Sequence, residues 1–388
     1  MKIYFIGQKG IPAVGGGVES YVDNLAARLA KKGHEVFVYT RWSYSDRRRK
    51  TYKGVNLINL PSLSTKNFDT ISHTLLASIH VLFRKADIIH YHSIGPSSLL
   101  WLPKIFKRST AFVSTFQSQC YLHAKWGRLA QGYLLFGEYI LCRLSDVVIV
   151  PSYILQKRCQ QLYNKVAVHI PNGVTIEPKV NNGSLAKWNL KKGSYIIAVS
   201  RLVRHKGLHY LIAAYQKLNT DKKLVIVGDG AFTDDYVREL KDLARNNKNI
   251  IFTGNQHGKI LQKLYSHAYA FVQPSESEGL SIALLEAMSY GLPVLASDIE
   301  ENVEAIDNNG IFFSSGDVRE LENKLNYMLN NKEAIKKIGK QAKIEINEKY
   351  NWDKLFKEVL EVYQNSAKKE KNIKINNSKK ILNYSFKN

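Results

Sequence analysis

Cysteine is scarce in this chain of 388 residues. There are three, Cys120, Cys142 and Cys159. They are odd in number and hold no C-x-x-C pair, which excludes a disulfide framework and a cysteine zinc site. Reduced, partly buried thiols are expected. Long apolar runs are missing too, and none approaches the ~18 residues of a membrane-spanning helix. The opening Met1-Lys2-Ile3-Tyr4-Phe5-Ile6 breaks at Gly7-Gln8-Lys9-Gly10, too soon for a signal-peptide core, so the reading is of a protein made and kept in the cytosol. Acid is in short supply, with 33 Asp+Glu against 56 Lys+Arg and a net charge of +23. With 45% hydrophobic and 23% charged residues, the composition is globular and excludes disorder throughout. The length suits two domains.

The excess charge is unevenly placed. Residues 1–171 hold 23 Lys+Arg against 8 Asp+Glu, residues 172–365 hold 26 against 24, and residues 366–388 hold 7 against 1. The first half therefore faces something anionic (nucleic acid, a membrane surface or a phosphorylated substrate), or else carries plain solubility charge.

Residues 1–171 alternate short β-branched strands with helical patterns. The strands are Lys2–Gly7, Glu35–Thr40, Asp87–His92, Ala111–Phe116, Val147–Val150 and Val166–Ile170. That alternation predicts a parallel sheet covered by helices. After Pro171-Asn172-Gly173, residues 172–194 read as a linker. A second α/β domain, 195–350, starts with strand Tyr195–Ser200 and runs through Lys223–Gly228, Ile250–Thr253, Ala268–Gln273 and Pro293–Ser297. The expected fold class is α/β, two Rossmann-like domains whose parallel sheets face a deep cleft. Residues 366–388 hold too few apolar side chains for a core and are expected to be a basic, disordered tail.

Three segments carry chemistry. Gly15-Gly16-Gly17 opens a helix after the first strand, where small residues and free N–H groups suit an anion. The spacing is not G-x-G-x-x-G, and a plain tight turn is the other reading. Ser200-Arg201-Leu202-Val203-Arg204-His205-Lys206-Gly207 follows the first strand of the second domain, so Arg201 and Lys206 either neutralise a diphosphate or face solvent. In Pro274-Ser275-Glu276-Ser277-Glu278-Gly279-Leu280-Ser281, Glu278 precedes a helix and Glu286 lies two turns inside it. Glu286 is costly to bury without partners such as sugar hydroxyls or a salt bridge.

Together these three segments, in this order, resemble the family 4 glycosyltransferases, which have the two-domain GT-B fold. The resemblance covers residues 1 to about 365. Ile6-Gly7-Gln8-Lys9-Gly10-Ile11-Pro12 and Ala124-Lys125-Trp126-Gly127 are similar to a bacterial, rhamnosyltransferase-like branch that builds cell-surface polysaccharides. The resemblance implies a retaining transfer from a nucleoside-diphosphate sugar. Arg201 and Lys206 would bind the diphosphate, and Gly16 and Gly17 would lie beside it. Glu286 would hold the ribose, and Glu278 the transferred sugar, with Gly279, Leu280 and Ser281 offering backbone N–H groups. Gly254 would lie near the base. His92 matches an acceptor-side histidine. Where the family commonly has Thr-x-His, this chain reads Thr115-Phe116-Gln117, so Gln117 stands at a position that reaches the donor sugar.

No Asp-x-Asp pair occurs in the chain, so no cofactor or metal is expected and the two cations are assigned its work. The resemblance further implies a lipid-linked saccharide acceptor on polyprenyl diphosphate, and peripheral attachment to the anionic inner membrane surface, with no nucleic-acid partner. Arg47-Arg48-Arg49-Lys50, Trp42, Tyr44 and Tyr52 are either a docking cluster or a solvated loop. Residues 351–365 would form a helix returning to the first domain. A catalytically weak or inactive sugar-nucleotide-binding protein, raised by Gln117, and a sugar-nucleotide epimerase of the same fold are the rival functions.

Overall fold

The structure is a computed structural model. It describes residues 1–65, 68–122, 126–175, 185–230 and 233–385, with side chains to residue 368. Ala124 and Lys125, the middle of the 172–194 segment and residues 386–388 lie outside the described residues. The chain forms two compact units, Met1–Pro171 with Asp353–Asn388, and Asn172–Trp352.

The first unit holds an eight-stranded sheet in the order β3-β4-β2-β1-β5-β6-β7-β8. The strands are β1 (Lys2–Ile6), β2 (Glu35–Arg41), β3 (Thr51–Tyr52), β4 (Val55–Leu60), β5 (Ile88–His92), β6 (Ala111–Thr115), β7 (Val147–Val150) and β8 (Val168–His169). All neighbours pair parallel except β3 with β4. The helices are α1 (Gly17–Lys31), α2 (Phe68–Leu82), α3 (Ile94–Ser97), α4 (Trp101–Phe106), α5 (Arg128–Leu144) and α6 (Tyr153–Tyr163). Ala77 and Val81 of α2 and Ile140 of α5 share one core with Tyr4, Tyr39, Tyr91 and Phe112 of the sheet. The sequence reading missed β3 and β4. The hairpin turn between them is marked by Lys53-Gly54, and both residues have positive φ, as a two-residue hairpin turn requires.

The second unit has six parallel strands in the order β11-β10-β9-β12-β13-β14. They are β9 (Tyr195–Val199), β10 (Lys223–Val227), β11 (Ile250–Gly254), β12 (Ala270–Gln273), β13 (Val294–Ser297) and β14 (Ile311–Phe313). Between and after them come α7 (Leu208–Tyr215), α8 (Asp234–Ala244), α9 (Gly258–His267), α10 (Ile282–Ser289), α11 (Glu300–Ile306), α12 (Val318–Asn330) and α13 (Lys332–Lys349). Ile197 packs with α10 and α13 on one face, while Ile196 packs with α7 and α12 on the other. Adjacent residues of one strand thus fill opposite cores, and both faces of the sheet are covered.

The last helix, α14, runs from Trp352 to Ser385. Where a disordered tail was expected over 366–388, its backbone is helical as far as Ser385. The segment contains neither glycine nor proline to stop it. Tyr363 on this helix is fully buried, and its hydroxyl meets His90 Nδ1 at 2.6 Å. Trp352 instead belongs to the second unit and lies against Gly173. Among the described residues, no helix is long and apolar enough to cross a membrane.

Candidate functional site

In the second unit the candidate residues gather at the carboxyl ends of β9 and β12, neighbours in the sheet. The turn from Ser200 to Gly207 is bound to its surroundings by backbone. The Leu202 N–H donates to the Asp229 carbonyl at 2.9 Å, and the Glu276 N–H to the His205 carbonyl at 2.8 Å. Gly207 closes the turn at φ +65°, and a Cβ there would sit 1.8 Å from the Pro274 carbonyl oxygen. Such a backbone clash cannot be relieved by a side-chain rotation. Gly207→Ala is therefore expected to cost about 3 kcal/mol or more, read as a lowered urea midpoint. A midpoint equal to the parent's contradicts the packing described.

This close approach brings Lys206 to Glu278. The Lys206 Nζ donates to both Glu278 carboxylate oxygens, at 2.5 and 2.6 Å. The two side chains are only 14% and 7% exposed. Ser275 Oγ donates to the same Glu278 Oε1 at 2.7 Å. Behind the pair runs a buried polar chain. Ser297 Oγ donates to the Ser275 carbonyl, and Asn302 Nδ2 donates to the Ser297 carbonyl and Oγ, both at 3.0 Å. Gln273 Nε2 donates to Asn302 Oδ1 at 2.7 Å, and Ser281 Oγ donates to Gln273 Oε1 at 2.6 Å. Ser281 also caps α10 by accepting the Leu284 N–H. Glu278 and the start of α10 are thus fixed by one hydrogen-bonded chain. Sequence reading did not find Gln273, Ser297 or Asn302. The first two end apolar strands with a polar residue, which was the available signal.

Glu286 sits on α10. The residue keeps a partly open edge, yet its carboxyl is withdrawn from water and its pKa is pushed up to about 7 by burial, with the Tyr265 hydroxyl bond opposing the rise. Arg201 is exposed and has no ion pair among the described residues, whereas Arg204 beside it pairs with Glu239. Leu280 is buried, and its carbonyl accepts from Asn172 at 3.4 Å. Gly279 beside it is partly exposed. Gly254 ends β11 at φ +69°, its carbonyl accepting the Gly228 N–H. Glu276 is exposed and accepts from the Tyr210 hydroxyl.

In the first unit the candidates lie at the carboxyl ends of β1, β5 and β6, three adjacent strands. Gly16 is the N-cap of α1 at φ +99° and Gly17 its first residue. Much of the glycine loop is already engaged. Glu19 accepts the Lys9 N–H at 3.0 Å, Asp23 the Ala13 N–H at 2.9 Å, and the Tyr44 hydroxyl oxygen the Val14 N–H at 2.7 Å. Gln117 follows β6 and is 7% exposed. His92 was expected on the acceptor side, but it has no exposed surface. Its ring lies among Phe5, Tyr21 and His90, and both nitrogens lack hydrogen-bond partners among the described residues. It ends a strand at the middle of the sheet whose five residues are all buried. Burial lowers its pKa to about 3, so the ring is neutral. In the basic loop, Arg47 stacks over Trp42 and Arg49 lies over Tyr52.

Residues 184–345 match the family described as glycosyl transferases group 1, and residues 15–178 match glycosyltransferase family 4. The chain belongs to the family 4 glycosyltransferases. An uncharacterized glycosyltransferase of Methanocaldococcus jannaschii is 28% identical, over 94% of this chain and 98% of its own. O-antigen chain mannosyltransferase C of Escherichia coli is 23% identical, over 94% and 98%. The solved structure of Anabaena HepE in complex with UDP and glucose superposes with a TM-score of 0.77 at 19% identity, covering 94% of this chain and all of that one. The fold is GT-B, with one parallel-sheet α/β domain in each unit.

Proposed function

We propose that the protein is a retaining glycosyltransferase that moves a sugar from a nucleoside-diphosphate sugar to a saccharide carried on polyprenyl diphosphate, in cell-surface polysaccharide synthesis at the inner membrane face. The observation that carries this reading is the Lys206–Glu278 pair held at the start of α10, with the open Arg201 on the same turn. A leaving diphosphate needs positive charge fixed in place before the reaction. Arg201, Lys206 and the N–H groups at the start of α10 supply it without a divalent ion. The O-antigen mannosyltransferase and the UDP-bound HepE structure support the substrate class.

In this mechanism the acceptor hydroxyl attacks the anomeric carbon on the face the diphosphate leaves. The sugar–phosphate bond breaks, the new glycosidic bond forms, and the hydroxyl proton passes to a departing phosphate oxygen. Glu278 orients the sugar, Glu286 the ribose, and no side chain serves as nucleophile. A thermal-shift panel of nucleoside diphosphates and nucleotide sugars tests the donor. A true donor at ~100 times its Kd adds about 2.7 kcal/mol of stability. Turnover of that donor onto a lipid-linked saccharide in EDTA is the expected result. No stabilisation by any nucleotide sugar defeats the reading, and binding without turnover favours the inactive binder.

Gln117 is assigned to donor choice. Its amide can donate and accept but carries no charge between pH 5 and 8, unlike the histidine common in the family. Gln117→His is expected to reorder the ranking of donor sugars by kcat/KM. A uniform rise with every donor, ranking unchanged, would instead mark Gln117 as the residue of a weakened enzyme.

A further inference from the structure

The outer face of α2 and α4 holds none of the residues assigned to the donor, and its composition is unusual. α2 turns Ala77 and Val81 to the sheet and leaves Leu75, Ile79 and Phe83 outward, Phe83 being 82% exposed just past the helix end. α4, packed beside α2, turns out Trp101, Ile105 and Phe106. Large apolar residues scattered singly need no explanation, but six on two adjoining helices do. Neither helix carries a free carboxylate, since the one acid on them, Asp69, is spent on buried Arg41. Arg84 and Lys85 follow α2, and Lys107 and Arg108 follow α4. None of these four has an ion pair among the described residues.

At the same end of α2 lies a pocket of about 620 Å³. Phe83, Arg84 and Lys85 form one wall, Lys2 and Lys50 line it further, and the stacked rings of Tyr4 and Phe37 lie within it. Glu35 is the one acid in its lining, and Lys2 neutralises it at 3.1 Å. An apolar stripe with a tryptophan, ending in unpaired cations beside a basic pocket, is complementary to a bilayer whose surface is negative.

We propose that the α2–α4 face docks the protein on an anionic bilayer, with a lipid phosphate head group entering the pocket between Arg84, Lys85 and Lys50. This deepens the reading of a lipid-borne acceptor and rests on it. It also moves the docking site away from Arg47 and Arg49, which already lie over aromatic rings, and keeps only Lys50 of that basic loop.

The test is co-sedimentation of the full chain with vesicles of phosphatidylglycerol and phosphatidylcholine, compared with phosphatidylcholine alone. Binding to the charged vesicles only, weakened by salt, is expected. Arg84→Glu with Lys85→Glu should weaken it at least about thirtyfold, and Phe83→Ser with Ile105→Ser at least about tenfold. Arg47→Glu with Arg48→Glu should bind like the parent. All variants are exposed-site changes, and a parental melting curve confirms each fold. Binding unchanged by the α2–α4 variants, or lost in the Arg47 pair instead, overturns the proposal. So does a dimer that Phe83→Ser with Ile105→Ser converts to monomer, since a second copy then covers the face. Nucleotide-sugar binding measured by calorimetry without vesicles reports separately on the transferase reading: failure there with vesicle binding intact sinks the donor chemistry and leaves the docking face standing.

Discussion

Replacing Lys206 with alanine is expected to lower kcat by about 10²- to 10³-fold, with a smaller change in donor affinity. That is the range lost when one fixed donor to a developing charge is removed. In the present structure Lys206 is bound to Glu278 through both carboxylate oxygens, so its ammonium is already positioned before any diphosphate arrives. Negative charge grows on the diphosphate as the sugar leaves, and the interaction is strongest at that moment. The same substitution also strips Glu278 of its cation in a largely buried place, which destabilises the fold by about 2–4 kcal/mol. The two consequences separate in a cycle. Lys206→Ala with Glu278→Gln should recover most of the lost stability, because no unpaired charge remains, and none of the lost turnover. If the double variant turned over no more slowly than Glu278→Gln alone, Lys206 would be a structural partner of Glu278 and nothing more.

The turn that carries Lys206 was legible as a basic turn after an apolar strand, closed by glycine, and its two cations were given either to a diphosphate or to solvent. The packing that aims the turn was not readable. Gly207 works by its approach to Pro274, 67 positions away, and Asn302 lies in an otherwise ordinary stretch before it joins Ser297 and Gln273. The strands of both sheets were legible from β-branched runs, except β3 and β4, a hairpin whose first strand holds two residues, and β14, which holds three. His92 was given to the acceptor side by the family resemblance and its place at a strand end, and its ring turns inward among Phe5, Tyr21 and His90. Strand alternation alone does not reveal which face of a doubly covered sheet a polar side chain joins. In the tail, composition argued for disorder, and the backbone is helical to Ser385 with no helix breaker between Trp352 and Ser385.

Glu286 should make both stability and donor affinity depend on pH, in opposite directions. Burial raises its pKa from 4.5 to about 7, and the Tyr265 hydroxyl offsets only part of that rise. Between those values the folded protein holds a proton that the unfolded chain has released. Stability contributed by this group is therefore full below pH ~4.5 and falls as pH rises towards 7, by about 3 kcal/mol in all. Glu286→Gln removes the titration, so its stability should stay level where the parent's declines, and it should melt higher than the parent at pH 8. Donor binding runs the other way. Ribose hydroxyls donate to a carboxylate and favour its ionised form, so a bound nucleotide lowers the pKa and releases a proton. At pH 6 about nine-tenths of the carboxyl is protonated when free, and affinity should rise about tenfold between pH 6 and pH 8. In Glu286→Gln the donor should bind more weakly at pH 8 and with no such slope. Calorimetry in two buffers of different ionisation enthalpy measures the released proton directly. A pH slope that survives intact in Glu286→Gln assigns the titration to another group and removes Glu286 from the ribose site.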